Sequence, residues 1–376
     1  MTLLFYDDRP LFGGHEAMTL LGLAALLKDP DLTIHFIACD ENTTLLKKLA
    51  ELKAIYPNLK IEPTEESVSN FEALRHFLFR GRIADLAAEI RRINPDAVIS
   101  VQGGLEPSSL GILAARKCGI KAISYLAMPH SYQTMGAKLG RLLDWGTPSL
   151  IERPDAFITI SEEMATHLRA RGAKVPVEVV FPGVDTDYYQ PASRHTCREK
   201  LDLPQDVPVF ACVGRIDFQQ KQQDRLLRAL ARPALEECHL VFGGDGPDAP
   251  TLDSLIQSRK VAHRIRRIPW AETAVLYPAA NAVVIPSRYE GVPLVMLEAL
   301  ACGTTVLGSD TDGMREILPD DCRFDAGSSA AVAGFLRQWI DAGMSEPPAE
   351  LSDRVRREMS LEAFQESFRH TLHRLV

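Results

Sequence analysis

Two acids eight residues apart, Glu290 and Glu298, are the first residues in this sequence whose type and spacing point to chemistry. They lie in Ile285-Pro286-Ser287-Arg288-Tyr289-Glu290-Gly291-Val292-Pro293-Leu294-Val295-Met296-Leu297-Glu298, where a buried strand ends near Pro286 and a helix begins near Pro293. The fixed φ of proline suits a first helical turn. Glu290 therefore precedes free helix amides, and Glu298 falls about one turn past Leu294, roughly 6 Å along the axis. A carboxylate accepts both donors of a vicinal diol. Two such acids flanking exposed amides can grip two sugars with a phosphate between them. A capping role would also explain Glu290. It explains Glu298 poorly, because Val295, Met296, Leu297, Ala299 and Leu300 surround it and an unpaired carboxylate is costly there.

A second candidate is Gly214-Arg215-Ile216-Asp217-Phe218-Gln219-Gln220-Lys221, which follows an apolar strand and precedes a helix. Arg215 can grip two oxygens of a diphosphate with its planar fork, and Lys221 can act as a mobile point charge. Two solvated surface cations remain the alternative. Near the N-terminus, Gly13-Gly14 opens a helix, where glycine lets backbone amides approach an anion; a plain tight turn fits equally. Gly243-Gly244-Asp245-Gly246-Pro247 reads as a structural turn near the site, and Gly313 as either a close approach to ligand or part of a helix start.

Short strand-like runs alternating with helical stretches must position these loops. Strands are expected at 2–6, 33–38, 97–101, 121–126 and 156–160, then at 207–213, 239–242, 282–285 and 304–307. Helices are expected between them, including 16–27, 71–93, 107–118 and 162–171. Such alternation indicates parallel sheets covered on both faces. The pattern breaks at Phe181-Pro182-Gly183-Val184-Asp185 and in the polar stretch after it. We therefore expect an N-terminal domain at 1–182, a linker region at 183–206 and a C-terminal domain at 207–358. A helix at 359–376 is expected to dock back on the first domain. Ligands of open parallel sheets bind where the strands finish, and that is where every candidate loop lies.

Bulk properties narrow the function classes. The 376 residues are 46% hydrophobic and 24% charged, the balance of a globular protein large enough for two cores. A formal charge of -8 weakens a general nucleic-acid-binding role. Seven scattered cysteines without a C-x-x-C pair argue for a reducing compartment and against zinc or a disulfide framework. The first residues lack the basic start and long apolar core of a signal peptide, and no apolar run approaches the roughly 20 residues of a membrane span. A cytoplasmic location is expected. The 71–93 stretch carries Arg75, Arg80, Arg82, Arg91 and Arg92 with Phe71, Leu74, Phe77, Leu78 and Leu86. Read as one basic amphipathic helix, it would allow peripheral contact with an anionic membrane at its inner face; a packed helix with a solvated face is the alternative.

Together these segments resemble the family-four retaining glycosyltransferases of the GT-B fold. The most specific element is Glu290 with Glu298 inside Pro286-Ser287-Arg288-Tyr289-Glu290-Gly291. Supporting it in order are Gly13-Gly14, Ser161-Glu162-Glu163-Met164, Pro182-Gly183-Val184-Asp185, Gly214-Arg215 with Lys221, and Gly243-Gly244-Asp245-Gly246-Pro247. The resemblance implies two facing Rossmann-like domains with parallel sheets and a cleft between them. It also implies transfer of a hexose-type sugar from a nucleotide-diphosphate sugar to a hydroxyl acceptor, a glycan or lipid-linked glycan. The setting would be cell-surface polysaccharide, lipopolysaccharide or glycolipid synthesis, with no cofactor and no metal. Arg215 and Lys221 would hold the diphosphate, Glu298 the ribose, and Glu290 the transferred sugar with backbone at Gly291, Val292, Pro293 and Leu294. Gly13 and Gly14 would lie near the phosphates, and His130, in Ala127-Met128-Pro129-His130, near the reacting centre; a buried structural histidine is its alternative. Many relatives have Phe-Gly where this chain has Val292-Pro293, and glycine where it has Gln222. An epimerase or phosphorylase of the same fold and a non-catalytic sugar-nucleotide binder are the rival readings. A dinucleotide oxidoreductase fits least, since no G-x-G-x-x-G opens a helix after either first strand.

Overall fold

The computed structural model describes residues 1–69, 71–258, 261–268 and 272–376. The chain forms two units, one of Met1–Pro182 with Glu362–Val376 and one of Gly183–Leu361.

Unit 1 is built on seven strands: β1 (Thr2–Asp7), β2 (Thr33–Cys39), β3 (Leu59–Thr64), β4 (Ala97–Gln102), β5 (Lys121–Leu126), β6 (Ala156–Thr159) and β7 (Val177–Val179). Their order is β3-β2-β1-β4-β5-β6-β7, and every pairing is parallel. Leu4, Tyr6, Val98 and Ala122 are fully or almost fully buried on the sheet. Against them pack Ile90 from Arg80–Ile93 and Ala115 from Ser109–Cys118. The last helix, Leu361–Leu375, has no strand after it. Instead, the Phe368 ring packs tilted against Tyr125, with ring centroids 5.3 Å apart, and lies so close to Gly22 that a Cβ there would come within 2.6 Å of it.

Unit 2 holds β8 (Val209–Val213), β9 (His239–Gly243), β10 (Ile265–Ile268), β11 (Ala282–Ile285), β12 (Thr305–Ser309) and β13 (Arg323–Phe324). They are ordered β10-β9-β8-β11-β12-β13, again all parallel. Residues 183–206, expected as a linker, lie inside this unit. Their helix Arg194–Lys200 is fastened by Arg198, 3% exposed. Arg198 donates to the carbonyls of Ala279, Pro204, Gln205 and Val207 and to Asn281 Oδ1. A buried guanidinium satisfied by neutral acceptors works as a staple between segments.

One expected element is corrected. The 71–93 stretch is two helices, Glu72–Leu78 and Arg80–Ile93, broken at Phe79. In one straight helix residues 72 and 82 would lie about 15 Å apart along the axis. Here Arg82 Nη1 sits 3.0 Å from the buried Glu72 Oε2 and Arg82 Nη2 2.6 Å from Glu66. Arg75 is also engaged by Glu72, and Arg92 by Glu62 and Glu89. Several cations expected on one basic face are thus paired.

Candidate active site

In both sheets the strand order reverses beside the first strand of the unit. Such a switch point makes a crevice at the carboxyl ends of two neighbouring strands. In unit 2 those strands are β8 and β11. The loop after β8 carries Arg215 and Lys221, and the loop after β11 carries Ser287, Glu290 and the start of the helix Leu294–Ala301.

The β8 loop is shaped by a close backbone approach. Gly244 has φ +123°, and a Cβ on it would stand 2.1 Å from the Gly214 carbonyl oxygen. Gly246 meets Ile216 O as tightly, at 2.4 Å. The Gly243–Gly246 turn is therefore a support for the loop that presents Arg215. Gln222, where glycine was expected in relatives, adopts φ 52°, a left-handed conformation that costs a non-glycine residue roughly 1 kcal/mol or more.

The two loops interlock. Lys221 Nζ lies 2.6 Å from Glu290 Oε1, and Ser287 Oγ donates to the same oxygen at 2.6 Å. Glu290 N donates to Asp312 Oδ2 at 3.1 Å. Arg288 N donates to the Gln220 carbonyl at 2.8 Å. Arg215, about half exposed, pairs with Asp217 at 3.1 Å and donates to Gln220 Oε1 at 3.4 Å. Arg215, Lys221 and Glu290 thus belong to one hydrogen-bonded constellation. Pro293 is the N-cap at φ −65°, ψ 121°, so the helix starts one residue later than expected. Gly291 and Val292 lead into it; Met296 N already reaches the Pro293 carbonyl at 3.0 Å, so the helical amides with no carbonyl behind them are those of Leu294 and Val295. Gly313 lets the next loop close against this one, since a Cβ would meet Gly291 O at 2.1 Å.

Glu298 stands further along that helix and has its own partners. Tyr277 OH donates to Glu298 Oε2 at 2.5 Å, and the Tyr189 hydroxyl, 2.9 Å from Thr273 Oγ1, also acts on this carboxylate. Burial raises the Glu298 carboxyl pKa, while the two phenols lower it by stabilising the anion. Sequence reading gives no role to Tyr277, Tyr189 or Gln220, because nothing in their local pattern marks them. Only the register of neighbouring elements brings them to the site.

Beside the Lys221–Glu290 pair opens a pocket of about 880 Å³, bordered by Gln222, Arg225, Ser287, Arg288, Ser309 and Thr311. It adjoins the pair through Gln222 and Ser287 and has room for a polar ligand the size of a sugar ring or larger.

The remaining expected residues are in unit 1. Gly13 is an extended N-cap whose amide donates to Glu16 Oε2 at 2.8 Å, and Gly14 begins the helix Gly14–Leu26. His130 is 4% exposed, edge-on to His167 with ring centroids 5.5 Å apart. Its loop is held through the Pro129 carbonyl by Arg171, which also donates to Thr147 Oγ1 at 2.7 Å.

Sequence models of known families converge on the same reading. The model for glycosyl transferases group 1 matches residues 193–357, and the model for glycosyltransferase family 4 matches residues 17–188. The chain belongs to this glycosyltransferase family. A D-inositol 3-phosphate glycosyltransferase of Mycobacterium avium is 33% identical over 245 residues, 61% of this chain and 56% of that protein. Its counterpart from Streptosporangium roseum is 39% identical over 158 residues, 38% of this chain and 36% of that one. The matches thus span between about a third and somewhat over half of these curated relatives. Among solved structures, sucrose-phosphate synthase from Thermosynechococcus elongatus superposes with a TM-score of 0.76 at 18% identity, covering 100% of this chain and 99% of that one. HepE from Anabaena in complex with UDP-glucose gives 0.75 at 16%, covering 100% of both chains. At these identities the likeness is one of fold, and the fold is GT-B.

Proposed function

We propose that the chain is a retaining glycosyltransferase that moves a hexose-type sugar from a nucleotide-diphosphate sugar to a hydroxyl acceptor without a metal. The observation that supports this most is the Lys221–Glu290 contact of 2.6 Å at the switch point of unit 2, beside a helix start. Transfer leaves negative charge on the departing diphosphate. Fixed cations and helix amides aimed at that charge lower the barrier most. Lys221 would leave Glu290 for the diphosphate when the donor binds, while Ser287 keeps the Glu290 carboxylate in place for the sugar. Arg215 would supply the second cation and Glu298 would receive the ribose hydroxyls. The neighbouring HepE structures contain UDP and UDP-glucose, which supports the same class of donor here.

The proposed acceptor is a glycan or lipid-linked glycan of a cell-surface polymer. The names of the curated relatives add a phosphorylated cyclitol to the acceptors worth testing. The deciding experiment is a thermal-shift screen against nucleotide sugars, then NMR of the product made from the best donor. Transfer with retained anomeric configuration supports the reading. Isomerised donor would favour an epimerase, and binding without turnover a non-catalytic sugar-nucleotide protein.

Among the described residues no helix is long and apolar enough to cross a membrane. A peripheral contact is a second reading, favoured by Phe77, Leu78 and Phe79, 65%, 60% and 57% exposed, beside Arg80. Failure of the protein to sediment with anionic vesicles would remove it.

A further inference from the structure

Unit 1 has its own switch point, between β1 and β4, and three side chains converge there. Asp7 ends β1, and His15 and Glu16 stand in the first turn of the helix Gly14–Leu26. Asp7 Oδ2, His15 Nε2 and Glu16 Oε1 all lie within 4.8 Å of one another. None of the three atoms has a hydrogen-bond partner among the described residues. Asp7 and Glu16 are both 0% exposed. Each carboxyl group is fixed by its other oxygen: Asp7 Oδ1 accepts from Arg9 N at 3.0 Å and Glu16 Oε2 from Gly13 N at 2.8 Å.

We infer that Asp7, His15 and Glu16 form a binding site for one divalent first-row metal ion. His15 Nε2 and Glu16 Oε1 stand 3.1 Å apart, and the buried Asp7 Oδ2 faces them with no hydrogen bond of its own; buried polar atoms are nearly always paired, so three gathered round one gap call for a ligand. The charges agree. Arg9 is the nearest cation, 3.7 Å from Glu16 Oε1 and 3.4 Å from His15 Nδ1. With both carboxyls ionised, as a bound cation would hold them, Asp7, Glu16 and Arg9 sum to one negative charge. A cation offsets that charge.

The His15 ring presents a lone pair at Nε2 when its proton sits on Nδ1. One imidazole and two carboxylates without a thiolate suit zinc, manganese, iron or cobalt in the divalent state. Bonds of about 2.0–2.2 Å would draw the three atoms slightly together. Gly103, just after β4, makes room for the groups that flank the gap. A Cβ there would stand 2.5 Å from Arg9 Nη1 and 2.7 Å from His15 Cε1. The ion would tie the end of β1 to the helix start and so fix the Gly13-Gly14 loop. It would leave the charge chemistry of Arg215 and Lys221 unchanged.

The test uses untagged full chain stripped with EDTA, then titrated calorimetrically with ZnCl2 and with CoCl2. We expect one ion per chain, a visible cobalt absorption band and a higher thermal midpoint with zinc. Asp7→Asn keeps the acceptor for Arg9 N and should fold. Asp7→Asn and Glu16→Gln should each weaken binding by more than the roughly 10–100-fold typical of losing a supporting partner. Absence of a saturable ion in the wild type overturns the inference, as do folded variants that bind as tightly as wild type. A third result also overturns it: Asp7→Asn raising the midpoint of a protein that takes up no ion, which would show that the carboxyls share protons instead.

Discussion

Tyr277 donates its phenolic proton to Glu298 Oε2 at 2.5 Å from a position that is itself completely buried. Burial, then the neighbouring carboxylate, raises the phenol pKa far above its usual value, so the hydroxyl stays a donor at every accessible pH. The carboxylate is thereby fixed in place, with Tyr189 as a second phenol acting on it. A hydrogen bond to a charged group contributes about 1.5–3 kcal/mol. On the proposed donor reading, Tyr277→Phe should therefore weaken UDP binding by about 10- to 100-fold while kcat at saturating donor changes little. Calorimetry of UDP binding and a donor titration of turnover check both halves. Unchanged UDP affinity would detach Tyr277, and with it Glu298, from nucleotide binding.

Lys221 is expected to act on the leaving group as well as on Glu290. Lys221→Ala should lower turnover by about 100-fold or more, the scale seen on losing one preorganised donor. The same change strands Glu290, which is 4% exposed, beside Ser287 alone, and should lower the thermal midpoint. Adding Glu290→Gln should recover much of that midpoint and none of the turnover. A double variant as active as wild type would remove Lys221 from the chemistry.

A pH signature should come from Asp8, which is 1% exposed. Burial lifts its pKa to about 7, opposed by hydrogen bonds from Ser108 and by Arg82, and reinforced by Glu72. The folded state then holds a proton that the unfolded chain has released from about pH 4 upward. Stability is accordingly lost as pH rises from about 4 through about 7, and flattens beyond. His76, whose pKa burial lowers to about 4, works in the opposite direction over that range. The comparison is therefore made with Asp8→Asn. Its thermal midpoint relative to wild type should climb from pH 4 to pH 7. A constant difference across that range would show that Asp8 ionises normally.

The turn supporting Arg215 allows a sharp pair of glycine tests. Gly244→Ala puts a Cβ 2.1 Å from Gly214 O at φ +123°, so the loop after β8 must move or the unit must unfold. A large fall in thermal midpoint with loss of donor binding is expected. Gly334, in the helix Ser329–Asp341, faces open space. Gly334→Ala should stabilise by about 0.5–1 kcal/mol with activity intact. Equal behaviour of the two variants in thermal melts would refute the packing argument.

The central strands of both sheets are legible from sequence because they are buried on both faces and read as unbroken apolar runs. Leu3-Leu4-Phe5-Tyr6 and Ala282-Val283-Val284-Ile285 are examples. The outer strands are not. Leu59–Thr64, Val177–Val179, Ile265–Ile268 and Arg323–Phe324 sit at or beside sheet edges, are partly exposed, and carry charges that mask any strand pattern. At the site, Arg215, Lys221, Glu290 and Glu298 are legible because each lies within a local motif after a strand. Tyr277 and Tyr189 become visible only through partners brought together by folding. Gln222 shows the limit from the other side, since its departure from glycine does not stop the loop from taking a left-handed turn.

The return of Glu362–Val376 to the first unit makes the second unit an insertion within the first. A ribosome releases residues in order, so Gly183–Leu361 can complete its own fold while unit 1 still lacks Phe364, Phe368 and Leu372, all buried in the finished protein. During that interval Gly22 and Tyr125 have no ring to cover them. The nascent N-terminal half must wait for the codons of that helix before its core is sealed, and until then its apolar surface stays open to non-native contacts.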